Sequence, residues 1–520
     1  MLLPFILPVA LAAVLFTPHL KDEIWMDEAY ALEHFAAGNI RNALTDYHMA
    51  TNHVVFSLVV SLWRKALGPA LGEETAYLRF PVVLFSLGAV AALFFATRRM
   101  AGAAAGCLAS TIFATSHVTA NFAAQLRGYS FSWLMVILGW YCLILCLESP
   151  RWWRLCLYGL CAAVAVGLLP TNLLWFALLA AWAILPALPS RPWRDRKAFR
   201  RLLYIAFVPL VGLAWYLGDV RGFLLQSLGL KSRYTLGPLL GEWYLSTARD
   251  FWWLVIPAVP GLWFLFRSSR ENSSQSPDSP RGKLLFVVLT AVGFVPLLCC
   301  MRAVPYPRHI LPIQPLMYAG LALLLAESLQ GFAPRLHGAC PRLAAGAPVV
   351  LVAVLWVLGF QREADDAGYY NRHKDTDMPL LGIYDLYFQN RYFNPSGVLT
   401  ELDGLCRSAP TTIFTNENGK WPLLWLLVHK YHNRLGSDRF RTEFFYVKDA
   451  EVSPKRLYFL AGSGRQVLLV ARGSGQAQAI AHTLYERSNG DEAWKNISPQ
   501  SAAGFFKIFQ CRNRPAMGEP

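Results

Sequence analysis

Two adjacent carboxylates, Asp27 and Glu28, stand in the stretch WMDEAY, shortly after the first apolar run of the chain. Carboxylates at the edge of an apolar segment are costly unless they are well hydrated or used. One use is general-base chemistry. A carboxylate takes the proton of an attacking hydroxyl while nearby cations stabilise the charge developing on a leaving group. Cations that border apolar runs recur along the chain: Arg79 in YLRFP, Arg127 in QLRGYS, and Arg302 and Arg308 in RAVPYPRHILP. Arginine presents a rigid fork of donors that matches phosphate oxygens, and it keeps its charge when partly buried. A base beside several such arginines suits transfer from a lipid-linked phosphate to a hydroxyl, with the scissile bond just above the membrane surface. The plainer reading is that each arginine snorkels or pairs with a neighbouring acid, and that Glu28 is a solvated helix charge. Asn52 and His53 stand where a further apolar helix begins. A histidine there caps the helix, binds a hydroxyl, or ligates a divalent metal with Glu28 or His48. Tyr129 either bonds a phosphate oxygen or is an interface aromatic.

These residues need elements to hold them, and the composition says which kind. The chain of 520 residues is 55% hydrophobic and only 16% charged, where a soluble domain carries about 25% charge. This is the make-up of a polytopic membrane protein, and the 18 Trp and 21 Tyr suit rings that gather at membrane interfaces. A net charge of +15 invites a nucleic-acid reading, but the basic residues fall between apolar runs and not on one soluble face. The ten cysteines show no CxxC or zinc spacing. Most lie in apolar runs as small core residues, while Cys406 and Cys511 could pair in an extracytoplasmic domain. The N-terminus has no basic n-region and reads as an uncleaved first span, Leu2 to Phe16.

The run Val54–Gly68 decides the topology. It is short of the roughly 20 residues a span requires, and Arg64 and Lys65 interrupt it. If it lies flat and the N-terminus is cytoplasmic, the inner loops hold Arg98 and Arg99, Arg151 and Arg154, the run RPWRDRKAFRR, the basic cluster from Arg267 to Lys283, and Arg335 and Arg342. Only Glu148, Asp195, Glu271 and Asp278 oppose them. If it spans, every one of these moves outside and the positive-inside rule fails throughout. The expectation is therefore about eleven spans plus an interfacial helix. The later spans read as Phe80–Thr97, Ala103–Phe122, Ser130–Leu147, Leu155–Leu169, Leu173–Leu188, Leu202–Leu217, Phe251–Phe266, Leu284–Met301, Ile310–Ala326 and Ala344–Phe360. Residues 1–360 form the membrane domain, with 19–77 as its first extracytoplasmic loop. From residue 361 to 520 the composition is that of a soluble domain. TTIFT, EFFYV, QVLLVAR and FFKIFQC read as strands, WPLLWLLVHKYH and AQAIAHTLYER as helices, and the alternation predicts an extracytoplasmic α/β fold. Its glycines do not form a dinucleotide fingerprint.

With these pieces in order, the chain resembles the polytopic glycosyltransferases of the GT-C superfamily. It is most similar to the branch holding protein O-mannosyltransferases and the aminoarabinose transferases of lipid A (glycosyltransferase family 39-like). The matching residues are D-E-A at Asp27–Ala29, N-H-V-V-F at Asn52–Phe56 for the usual H-P-P-L-Y, Y-L-R-F-P at Tyr77–Pro81 for R-L-P-S, Q-L-R-G-Y at Gln125–Tyr129, and P-R-H-I-L-P at Pro307–Pro312 for R-Y-x-x-P. The resemblance covers roughly the first 330 residues. It implies a GT-C fold and an inverting transferase that moves a sugar from a polyprenyl phosphate to a hydroxyl of a lipid, glycan or protein. It also implies Asp27 as base, with Glu28 as its partner or a substrate ligand, Arg79, Arg127 and Arg308 holding the donor phosphate or ordering the pocket, and Asn52, His53, Tyr129 and His309 around the substrates. No cofactor is required by this reading, with the divalent metal left open. The chain departs from the pattern at Val54 and Val55, where the family has prolines, and at His309, where it has tyrosine. The expected setting is a bacterial inner membrane with the active site outside. The alternatives are a lipid-sugar flippase, disfavoured because no internal repeat is visible, an oligosaccharide ligase using diphosphate donors, and a non-catalytic scaffold.

Overall fold

A helix without a single charge opens the chain: α1, Leu3–Phe16, LPFILPVALAAVLF. The computed structural model describes residues 3–21, 24, 26–36, 40–47, 52–71, 75–190, 192–229, 251–271, 276, 278–293, 311–339 and 348–361, and five strands further on. Two compact units divide the chain. The first comprises Met1–Leu20, Gly38–Trp63 and Arg79–Glu363, and the second Lys21–Ala37, Arg64–Leu78 and Ala364–Pro520.

In the first unit, short α3 (Ile40–Thr45) leads to α4 (Val54–Leu71). α5 runs over Thr75–Thr115 but breaks at Gly102, whose φ of +86° lies in the left-handed region that glycine enters at no steric cost. The break folds the helix back on itself. The Ser110 hydroxyl donates to the Val90 carbonyl at 3.0 Å, and the Ser86 hydroxyl to that of Ala123 at 2.7 Å. Gly106 lets the second arm approach the Phe94 carbonyl, which an added Cβ would meet at 2.7 Å. The expected spans Phe80–Thr97 and Ala103–Phe122 are thus two arms of one antiparallel hairpin. Short α6 (His117–Ala123) follows, with Ser116 as its N-cap.

Next come α7 (Tyr129–Glu148), α8 (Trp152–Leu168) and α9 (Asn172–Ile184). The Asn172 amide ties all three by donating to Ser132 Oγ at 2.8 Å and to the Ala165 carbonyl at 2.6 Å. The helical stretch from Arg196 continues through α10 (Arg196–Phe207), a 3-10 segment (Val208–Asp219) and α11 (Val220–Gly229). Farther on, α12 (Trp252–Glu271) packs against α14 (Gln314–Ala339). Gly261 permits this close crossing, since an added Cβ would run into the Leu324 carbonyl. α13 (Pro280–Val288) joins them through an ion pair of Lys283 with Glu327 at 2.6 Å.

Five helices among the described residues are long and apolar enough to cross a membrane: Leu3–Lys21, Thr75–Thr115, Tyr129–Glu148, Arg196–Leu225 and Leu311–Phe332. Shorter apolar helices cover Trp152–Leu168, Asn172–Leu188 and Pro348–Gln361. Large apolar side chains stay exposed along them, among them Leu160, Leu188 and Phe207, and also on α12, at Ile256 and Trp263, as lipid-facing surface requires. The protein is therefore a multi-pass integral membrane protein. The expected run Leu284–Met301 lies partly outside the described residues. α4, with Arg64 and Lys65 in it, is not among the five.

In the second unit, α2 (Met26–Ala31) passes into a π-helical turn, Leu32–Ala36, where Tyr30, Ala31 and Phe35 form a small apolar cluster. The unit also contains a five-stranded mixed sheet of β1 (Thr411–Thr415), β2 (Glu443–Tyr446), β3 (Gln466–Arg472), β4 (Trp494–Asn496) and β5 (Phe506–Cys511), in the order β2-β1-β3-β5-β4. β1 runs parallel to β2 and β3, and β5 antiparallel to β3 and β4. The four runs read as strands in the sequence occupy β1, β2, β3 and β5. The two helical runs lie outside the described residues.

Candidate functional site

The buried turn between α6 and α7, residues 124–128, carries Arg127 and Gly128. The Arg127 N–H reaches back to the Gln125 carbonyl at 2.6 Å, which closes the turn tightly. α7 then starts on Tyr129. Arg127 is 3% exposed, and a guanidinium taken this far out of water holds its charge only with local compensation. His53, at the start of α4, meets this turn. The Gly128 N–H donates to His53 Nδ1 at 2.9 Å, and Arg127 Nη2 lies 3.3 Å from His53 Nε2. The His53 ring stands edge-on to Tyr129 with centroids 5.2 Å apart, and the Arg127 guanidinium lies 5.9 Å from the Tyr129 centroid.

This geometry assigns the tautomer. Nδ1 accepts a backbone N–H, so the neutral ring carries its proton on Nε2. Nε2–H and the guanidinium N–H of Arg127 are then two donors side by side. Two neighbouring donors are best placed around a shared acceptor, and an anionic oxygen is the strongest such acceptor. Gly128 is fixed by the same contact, because a Cβ there would stand 2.6 Å from His53 Nδ1.

His53 is held from the other side by the chain before it. Asn52 is buried, its Nδ2 donating to the carbonyls of Ala43 at 3.0 Å and Asp46 at 2.7 Å, while its Oδ1 accepts the Ser57 hydroxyl at 2.8 Å. Those carbonyls belong to the end of α3, where backbone acceptors lack helical partners. Asn52 thus brackets the end of α3 to the start of α4. One step earlier, the Tyr47 N–H donates to Asp219 Oδ2 at 3.0 Å, and the other oxygen of Asp219 accepts the Gly222 N–H at 2.7 Å. The Tyr47 ring packs edge-on against Tyr216, 5.0 Å between centroids. Burial pushes the Tyr47 phenol up to about 12, against the opposing pull of the Arg127 charge. The phenol is therefore neutral at physiological pH, and the field of Arg127 reaches it.

Arg79 is buried near the start of α5 and its Nη1 donates to the His19 carbonyl at 3.2 Å. Asp27 and Glu28 lie on α2, in the second unit. Glu28 is 1% exposed, the setting in which a carboxylate is paired or used; the side chain of Asp27 lies outside the described residues. Arg302, Arg308, His309 and His48 lie outside them as well. Among the described residues no three His, Cys, Asp or Glu side chains gather as a metal site. The structure therefore brings together His53, Arg127 and Tyr129, with Asn52 behind them. Sequence reasoning missed Tyr47, Ser57 and Asp219, which carry no local motif. Gly128 could have been singled out from its place between Arg127 and Tyr129.

No protein-family model matches the chain, and no curated protein matches it in sequence. Solved structures do match in fold. ArnT from Cupriavidus metallidurans in the apo state superposes with a TM-score of 0.53 at 13% identity, over 99% of this chain and 98% of that one. The same protein bound to undecaprenyl phosphate gives 0.54 at 15% identity, over 99% of both chains. The Archaeoglobus fulgidus oligosaccharyltransferase, in complex with Zn and sulfate, gives 0.50 at 11% identity, over 96% of this chain and 72% of that one. These are GT-C glycosyltransferases, and the chain shares their fold.

Proposed function

We propose that this GT-C-fold protein is a membrane glycosyltransferase that moves a sugar from a polyprenyl phosphate to a hydroxyl acceptor. The observation that carries the reading is the buried donor pair formed by Arg127 and the Nε2–H of His53, held 3.3 Å apart. Such a pair fits a phosphate oxygen, and a lipid-linked sugar brings its phosphate to the membrane edge where these residues border apolar helices. The ArnT structure with undecaprenyl phosphate supports a lipid of this class, and the glycines of residues 361–520 do not form a dinucleotide fingerprint.

In this reading the phosphate is the leaving group. As the bond between the sugar C1 and the phosphate oxygen breaks, negative charge grows on the phosphate, and Arg127 and His53 stabilise it from positions fixed beforehand. Arg79 and Arg308 act on the same phosphate or order its surroundings. Asp27 takes the proton of the acceptor hydroxyl as its oxygen attacks C1 from the opposite face, which inverts the anomeric centre. Glu28 supports that carboxylate. Asn52 positions His53, Tyr129 packs against the ring of His53, and His309 contributes to the acceptor side. Residues 361–520 serve the acceptor or a partner on the extracytoplasmic side, and the active site faces that side, outside a bacterial inner membrane.

The test is mass analysis of envelope lipids and glycans from cells with and without the gene, paired with donor assays on purified protein. A sugar modification should vanish with the gene, and monophosphate-linked donors should be consumed. Consumption of diphosphate-linked donors alone would instead identify a ligase. Two variants probe the site. Gly128→Ala forces the His53 ring away and removes its backbone anchor. Transfer should fall about 10–100-fold, since a displacement near 1 Å costs on this scale, with a loss of stability of about 1–3 kcal/mol from overpacking the buried turn. Asn52→Ala leaves two helix-end carbonyls and a serine hydroxyl unsatisfied. It should cost about 2–3 kcal/mol of stability, read as a lowered unfolding midpoint in detergent.

A further inference from the structure

The end of α7 far from Tyr129 gathers a second group of cations. α8 and the stretch beginning with α10 pack in parallel. The Tyr158 hydroxyl donates to the Ile205 carbonyl at 3.1 Å, and farther along the Tyr216 hydroxyl donates to the carbonyls of Val166 at 3.2 Å and Gly167 at 3.1 Å. Both partners thus advance in the same direction, and their N-termini lie at one end. Those N-termini carry RWWR, residues 151–154, and PWRDRKAFRR, residues 192–201. Two segments of the same character, about forty positions apart in the chain, thus stand at one end of the helix pair. Trp152 and Trp193 are 77% and 57% exposed.

Asp195 and Glu148, two acids at this end, are already engaged. Asp195 caps α10, accepting the Lys197 N–H at 2.8 Å. Glu148 takes both prongs of Arg99 at 2.7 Å. Arg154 serves the end of α7, donating to the carbonyls of Leu145 at 2.7 Å and Ser149 at 3.0 Å. Arg196, Lys197 and Arg200 are exposed and Arg201 half-buried on α10, with Arg151 and Arg194 beside them. Among the described residues no ion pair joins any of these six to a carboxylate. Directly below them Leu157, Leu160, Phe207 and Val211 are exposed, a surface for acyl chains. Exposed tryptophans beside unneutralised cations, at the boundary of apolar surface, sit at headgroup depth.

We propose that this rim binds anionic phospholipid headgroups and holds a small set of them on the protein. The occupant is an acidic lipid of the surrounding leaflet, because the cations and the acyl-facing surface adjoin. This inference is independent of the chemistry at the other end of α7. The full chain is exchanged into nanodiscs made of equal parts phosphatidylglycerol and phosphatidylcholine, then extracted into mild detergent. Co-purifying lipid is quantified by mass spectrometry. Wild type should retain phosphatidylglycerol over phosphatidylcholine by on the order of tenfold. The variant R196Q/K197Q/R200Q/R201Q should lose most of that preference while its thermal unfolding is kept. A second readout needs no variant: the wild-type preference should collapse as salt rises towards about 1 M, where the screening length falls to about 3 Å. Equal retention of the two lipids by wild type, or a preference that survives both the substitutions and the salt, overturns the proposal.

Discussion

An Asp27→Asn variant should lose about 10²–10⁴-fold in sugar transfer, the range that a positioned general base supplies. Asn is close to isosteric with Asp but cannot take the acceptor proton, so attack on the sugar carbon must proceed with an unassisted hydroxyl. The backbone at Asp27 is helical, and Asn is tolerated within a helix at small cost. Donor binding should persist, because in the proposed mechanism the phosphate is held by Arg127 and His53 and not by the acid. The measurement is turnover of a polyprenyl-phosphate sugar beside binding of undecaprenyl phosphate, each on purified variant and wild type. Loss of turnover with binding retained is the expected split. Turnover at the wild-type rate removes Asp27 from the mechanism.

The second large effect belongs to Arg127. Replacing it with Ala deletes the guanidinium and leaves the Nε2–H of His53 without its fellow donor. Transfer should fall roughly 10²–10³-fold, as when one preorganised donor to a developing anion is removed, and binding of undecaprenyl phosphate should weaken in parallel. Arg127→Lys keeps the charge and loses the planar fork, so it should restore only part of the function. A purely structural arginine would behave differently: Ala would lower the unfolding temperature, and Lys would leave donor affinity untouched.

How far this could be read from the chain depends on the range of the interaction that makes each feature. Apolar runs are local, so the helices and their broad order were legible, as were the strands of β1, β2, β3 and β5 from their β-branched and aromatic composition. WKN at β4 is three residues, too short for an alternating pattern to register. Arg127 and Tyr129 could be named because charge and aromatic residues border an apolar run there. The expected pair of spans around Gly102 was visible as two runs, but their joining into one hairpin rests on a single left-handed glycine. The support behind His53 was not legible. The Tyr47 bond to Asp219 links residues 172 positions apart, and nothing in either local sequence announces it. Asn52 enters the sequence reading through the stretch N-H-V-V-F, and nothing in that stretch shows that its amide is engaged by α3 and Ser57. Such brackets follow from how helix ends meet, which only the packed structure decides.

The most direct test of the central reading is single-turnover transfer in nanodiscs. Purified protein is loaded with a polyprenyl-phosphate sugar and mixed with a membrane extract as acceptor, and free polyprenyl phosphate is followed by mass spectrometry. Wild type should release polyprenyl phosphate only when acceptor is present, with Arg127→Ala and Asp27→Asn each nearly silent. Release at the same rate from wild type and both variants, or no release from wild type with any monophosphate-linked sugar, would contradict the account.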